Sequence, residues 1–155
     1  MTGTVRIREV EDADLPVFFA NQSDKDASWL AAVPSRDQDA FDVQWATIRA
    51  DPTVMTRTVL YDGNVAGSVL SFERGGLREV GYWIGRAYWG KGIATRALAA
   101  LLEEDTKRPL HARVAGDNLG SVRVLEKSGF ERIDSKRVFD ETRGAEIEDV
   151  LYVLR

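Results

Sequence analysis

The chain of 155 residues contains no cysteine. That excludes a disulfide scaffold, a thiolate metal site and a covalent cysteine acyl-enzyme. Its one histidine, His111, makes a zinc site built from the protein alone unexpected, and no metal is assigned. Long apolar runs are also missing, so nothing in the chain is expected to span a membrane. Met1-Thr2-Gly3-Thr4 leads directly into Val5-Arg6-Ile7-Arg8 without the apolar stretch of a targeting signal, and a cytoplasmic location is expected by default. Positive charge is in deficit. A formal net charge of -4 argues against nucleic acid as the main partner, because phosphate binding ordinarily rests on a basic surface.

What is present describes a soluble globular protein, with 44% hydrophobic and 30% charged residues. A chain of 155 residues is expected to form a single domain over residues 1–155. Val5 to Val10 alternates as a half-buried strand would. Glu11 to Asn21 reads as a helix with Leu15, Phe18 and Phe19 on one face, and Gln38 to Ala50 as a second, with Phe41, Trp45 and Ile48 at helical spacing. Between Thr56 and Ile84 the period is two. Asp62-Gly63-Asn64 and Arg74-Gly75-Gly76 mark the turns of an antiparallel meander. After Gly92 the stripe of Ile93, Ala97, Leu98, Leu101 and Leu102 predicts a helix. A strand follows over Leu110 to Ala115, then a helix over Asn118 to Ser128 closed by Gly129, then a last strand pair around Glu141 to Gly144. The order β-αα-β-β-β-α-β-α-β-β predicts one α/β (α+β) domain. Its mixed, mostly antiparallel sheet should have about seven strands and four flanking helices.

The most informative segment is Tyr88-Trp89-Gly90-Lys91-Gly92-Ile93-Ala94-Thr95, between a strand and a helix. Two glycines one residue apart let the backbone turn tightly and approach a ligand. The helix that follows points free N–H groups and its positive dipole end at whatever fills the loop, commonly a phosphate. A plain strand-to-helix turn would look the same. Gly85 to Lys91 also fits the start of a nucleotide P-loop, but Gly92 stands where Ser or Thr should hold magnesium, and the preceding strands are antiparallel. A dinucleotide fingerprint fails at Thr95, its third glycine position.

Trp89-Gly90-Lys91-Gly92-Ile93-Ala94 resembles the Gln/Arg-x-x-Gly-x-Gly/Ala signature of the GNAT acetyltransferases, with Trp89 in place of the Gln or Arg. Asn118-Leu119-Gly120-Ser121 through Leu125-Glu126-Lys127-Ser128-Gly129-Phe130 resembles the second block of the branch that contains the ribosomal-protein alanine acetyltransferases. Together the two blocks imply the GNAT fold and an N-acetyltransferase that uses acetyl-CoA as co-substrate and a primary amine as acceptor. By this resemblance the backbone of Gly90, Lys91, Gly92, Ile93, Ala94 and Thr95, with Trp89, would hold the pyrophosphate. The strand edge at Trp83-Ile84 would pair with pantetheine, and Asn118 would contact it. Asn118 is also a natural helix cap.

Ser121 is the candidate to hydrogen-bond the departing thiolate. The tyrosine acid that many relatives carry one turn later is Leu125 here. The attacking amine must be neutral, and lysine-like amines titrate near ~10.4, so a base helps most with them. Glu79 is the leading candidate, against the alternative of an exposed strand glutamate; Glu148 and Asp149 are weaker ones. Trp29 is the expected acceptor contact, Phe41 and Trp45 read as core, and His111 as structural. The acceptor, a small molecule or a protein N-terminus, is not identified by the sequence. The oligomeric state is open, a homodimer included. An acyl-CoA sensor of the same fold is the alternative.

Overall fold

The computed structural model describes residues 3–155; Met1 and Thr2, the head of the segment read above as lacking a leader, lie outside the described residues. Seven strands form one sheet: β1 (Val5–Glu9), β2 (Met55–Tyr61), β3 (Asn64–Arg74), β4 (Leu77–Ile84), β5 (Leu110–Ala115), β6 (Glu131–Asp140) and β7 (Ala145–Leu154). Their order across the sheet is β1-β2-β3-β4-β5-β7-β6. The α/β class and the mostly antiparallel sheet agree with the sequence; β4 and β5 are the parallel neighbours. Both predicted hairpins turn on residue pairs with positive φ, Asp62-Gly63 (49° and 82°) and Gly75-Gly76 (58° and 81°). That left-handed geometry matches the twist of the flanking strands.

The helices are α1 (Leu15–Gln22), α2 (Lys25–Ala31), α3 (Gln38–Ala50), α4 (Ile93–Glu104) and α5 (Leu119–Lys127). This is five where the sequence predicted four. The addition is α2, which lies in the stretch around Trp29 that lacked a visible repeat. Seven residues are too few to display one, and the residues α2 buries, Ala27 and Ser28, are small. Capping defines it instead: the Asp24 carboxylate accepts from the N–H groups of Asp26 and Ala27 at 3.1 and 3.3 Å. A left-handed Ala32 ends it at φ 55°.

The apolar core forms two clusters. The larger packs Val59, Val69, Val80 and Leu110 of the sheet against Ile93, Leu98 and Leu101 of α4 and Leu125 of α5. The smaller gathers Phe18 of α1 with Phe41 and Trp45 of α3. Period two along β4 therefore serves both: Val80, Tyr82 and Ile84 turn to the α4 side, leaving Glu79, Gly81 and Trp83 on the opposite face. Trp83 accordingly donates its indole N–H to the carbonyl of Asn21 in α1 at 3.2 Å.

Candidate active site

β4 and β5 share one paired position, Glu79 opposite His111, and no paired position beyond it. Past Glu79 the two strands part. Gly85 donates to the Ala66 carbonyl at 2.8 Å, so by alternation Gly81 and Trp83 bond to β3 while the backbone groups of Tyr82 and Ile84 face the gap. Trp89 reaches back to occupy one of them, its indole N–H donating to the Ile84 carbonyl at 2.7 Å. The rest is an unpaired strand edge inside the molecule, and unpaired buried backbone groups demand partners. The sequence reading named Trp83 and Ile84 for this edge; the alternation assigns it to Tyr82 and Ile84.

The glycine loop closes one end of the gap. Gly90 and Gly92 have φ of 76° and 70°, which side-chain-bearing residues adopt at a cost. Gly92 caps α4 without a side chain to accept, and the first bond within the helix is Arg96 N–H to Gly92 O at 3.2 Å. The N–H groups of Ile93, Ala94 and Thr95 thus point outward with the helix dipole behind them. Arg96 braces the loop from the helix, donating to the Lys91 carbonyl at 3.1 Å and the Gly3 carbonyl at 2.6 Å.

Two cavities flank this frame. One, of about 680 Å³, is lined by every residue assigned to cofactor binding except Lys91: Trp83, Ile84, Trp89, Gly90, Gly92, Ile93, Ala94, Thr95, Asn118 and Ser121. Arg123 and Lys127 of α5 add positive charge to its wall. The other, of about 580 Å³, is lined by Phe41, Trp45, Glu79 and Arg113 among others. Ala31, Tyr82, Trp83, Asn118 and Ser121 line both. Asn118 caps α5 through a long hydrogen bond from Ser121 N–H, 3.4 Å.

Two expectations change in detail. Glu79 is not an exposed strand glutamate. It is 1% exposed, holds Arg74 through two hydrogen bonds of 2.7 and 3.1 Å, and has Arg113 at 3.5 Å. Two guanidinium groups offset the cost of burying its charge. Trp29 lines neither cavity; it is 49% exposed and lies under the Arg143 guanidinium, 4.2 Å from the ring centroid. Its neighbours Ala27 and Leu30 face the larger cavity instead. Asp149 sits 3.7 Å from Arg113, and Glu148 pairs with Arg132 at 3.1 Å. His111 is buried beside Glu79 in register, its Nδ1 without a partner among the described residues.

Sequence reasoning missed Tyr82. Its hydroxyl lies 2.7 Å from Ser121 Oγ, and burial pushes its pKa up to about 12, against the opposing effect of its contact with Ser121. The pattern put Tyr82 in phase with core residues, which hid a polar tip at the end of an apolar ring. Arg143 was also missed. It joins the turn after β6 to α2 and Asp117, a contact over 113 positions or more to the α2 carbonyls.

The same frame recurs in known proteins. The structure superposes on the ribosomal-protein-alanine N-acetyltransferase of Brucella melitensis with a TM-score of 0.81, at 21% identity over 96% of this chain and 98% of that one. It superposes equally on the spermidine N-acetyltransferase of Vibrio cholerae solved with CoA and spermine, TM-score 0.81, 17% identity, covering 96% and 95% of the two chains. These likenesses establish the fold. A probable N-acetyltransferase of Bacillus subtilis, YjcK, is 38% identical over 79 residues, 46% of this chain and 44% of that protein. An uncharacterized N-acetyltransferase of Bacillus licheniformis, p20, is 27% identical over 86 residues, 53% and 48% of the two chains. The matched stretches span about half the length of these curated relatives. The family model of the acetyltransferase (GNAT) domain matches residues 4–131, and the chain belongs to that family.

Proposed function

We propose that this protein is a single-domain N-acetyltransferase that carries an acetyl group from acetyl-CoA to a primary amine by direct attack, both substrates being bound together. The observation that carries this reading is the larger cavity, which collects the glycine loop, the unpaired β4 edge and the start of α5 around one continuous space. Outward N–H groups at Ile93 to Thr95 fit a pyrophosphate. The free backbone groups of Tyr82 and Ile84 fit the amides of pantetheine, added to the sheet like a further strand. The acceptor would enter from the smaller cavity.

In the reaction the amine nitrogen bonds the thioester carbon, the C–S bond breaks and its electron pair passes to sulfur. One proton leaves the amine and one is taken up at sulfur. An N–H of the β4 edge is suited to the developing oxyanion, Ser121 to the developing thiolate, and Glu79 to the amine proton, directly or through water. Arg74, 58% exposed at its side chain, would have to give way for Glu79 to reach the amine. Among the described residues no helix is long and apolar enough to cross a membrane.

A second reading, an acyl-CoA sensor without turnover, is favoured by two observations. The Glu79 carboxylate is engaged by arginines, and Leu125 fills the position one turn beyond Ser121 with an apolar side chain. A thiol-release assay with acetyl-CoA across protein N-terminal peptides, polyamines and amino acids separates the two. Turnover on any of these amines supports the enzyme; CoA binding with no turnover on the whole panel supports the sensor.

A further inference from the structure

Ser121 is held from two sides. Its N–H is capped by Asn118, and its side chain meets Tyr82, whose hydroxyl lies 2.7 Å from Ser121 Oγ and 3.2 Å from the Ser121 carbonyl. The partners come from different elements, β4 and α5, 39 positions apart. Both line both cavities. Either oxygen could donate across the 2.7 Å contact; the phenol is the far more acidic of the two, and the Ser121 carbonyl at 3.2 Å is the longer alternative for its one proton, so the favoured arrangement has Tyr82 donating and Ser121 Oγ accepting. That leaves the serine proton to be spent elsewhere. A helical serine otherwise turns its hydroxyl back to the carbonyl four residues earlier.

Building on the acetyl-CoA reading above, we propose that Tyr82 is a positioning residue for thioester cleavage: its phenol holds Ser121 Oγ so that the serine proton points at the sulfur of coenzyme A. The donors then run in series, Tyr82 to Ser121 to sulfur. As the C–S bond breaks and the electron pair settles on sulfur, the serine hydrogen bond strengthens, and the phenol behind it polarises the serine further. No proton needs to leave Tyr82. Burial keeps the phenol protonated far above neutral pH, so the donor is present wherever the amine is neutral enough to react. Leu125, 1% exposed in the core, offers no hydroxyl from α5 to compete. The sheet supplies the polar group that the helix lacks.

The test follows the thiol of bound CoA rather than turnover, because it needs no acceptor. CoA labelled with ¹³C at the carbon next to sulfur is bound to the protein, and its thiol is titrated by NMR. The bound thiol is expected to titrate below free CoA in the wild type. Tyr82→Phe, which keeps the ring, should raise the bound pKa by about one unit, a tenfold change in the thiol–thiolate ratio. Ser121→Ala should raise it at least as far, and the double variant no further than Ser121→Ala. For Tyr82→Phe, CoA affinity at pH 6, where the thiol is protonated throughout, should stay within about threefold by calorimetry. A Tyr82→Phe titration identical to wild type, or two effects that simply add, would overturn the proposal. Should Tyr82→Phe not fold, Ser121→Thr decides: it keeps an Oγ for Tyr82 and should follow the wild type, and titration alongside Ser121→Ala would overturn the idea. A wild type that binds no CoA would remove the acetyl-CoA reading itself, and this inference with it.

Discussion

The guanidinium of Arg143 lies 4.2 Å from the centroid of the Trp29 ring and donates to the Trp29 carbonyl at 2.8 Å. The same group grips Asp117 with bonds of 2.6 and 2.9 Å and the Leu30 carbonyl at 3.0 Å. At the other end of α2, Arg86 from the β4–α4 connection holds the cap residue Asp24. α2 is therefore strapped across the larger cavity by an arginine at each end.

Arg143→Ala should loosen that strap. Charge-assisted bonds are lost, the Leu30 carbonyl loses its Arg143 donor and the Trp29 carbonyl keeps only the Ala32 N–H, a destabilisation of about 2 kcal/mol. The expected signature is faster hydrogen exchange at the amides of residues 25–31, with weaker CoA binding. Unchanged exchange there would show that α2 is held by its own packing.

Thr95→Asp separates binding from stability. A carboxylate in the first turn of α4 suits the helix dipole and should leave the melting temperature level or slightly raised, by about 0.3–1 kcal/mol of stability. It also sets a negative charge beside the proposed pyrophosphate site, so CoA affinity should fall by at least about tenfold. Calorimetry and thermal melting on the same sample check both halves.

Much of this was legible in the sequence, because the signals there are local. The residues Gln38 to Ala50 form α3, Leu77 to Ile84 form β4, and Leu110 to Ala115 form β5, each with the bounds that period and turn chemistry gave. The glycine loop and the Asn118 cap were legible for the same reason. α2 was not, since capping by Asp24 defines it and no apolar stripe does. The burial of Glu79 was not legible, because it depends on Arg74 and Arg113, the latter 34 positions away on another strand. The Tyr82–Ser121 bond depends on how α5 lies over β4, a tertiary fact that no window of sequence contains.

Glu79→Gln should lower kcat by about a hundredfold or more on a lysine-like amine if Glu79 takes the amine proton, and less on α-amines, which are more often neutral near pH 8. A rate profile that keeps its shape and height on both amines would relieve Glu79 of that role. It would leave the residue as the buried counter-ion of Arg74 and Arg113.

Acid should expose the α1 end of the sheet first. Burial alone would raise the pKa of Asp14, but hydrogen bonds from Arg8, Thr58 and the Glu11 backbone override it and hold it at about 2, against 3.8 unperturbed. The folded value lies below the unfolded one, so the stabilisation is complete above about pH 4 and is lost as pH falls through 2. The shift corresponds to roughly 2 kcal/mol. Denaturant titrations between pH 5 and pH 2 should show this loss, and Asp14→Asn should flatten that part of the curve while lowering stability at pH 7.

Calorimetric titration of the wild-type protein with acetyl-CoA, alongside ATP with magnesium, bears most directly on the larger cavity. Saturable one-to-one binding of acetyl-CoA, displaced by CoA and weakened by Thr95→Asp, is the expected result. Tight binding of ATP with magnesium and none of acetyl-CoA would contradict it, and would return the loop from Trp89 to Ala94 to the nucleotide readings.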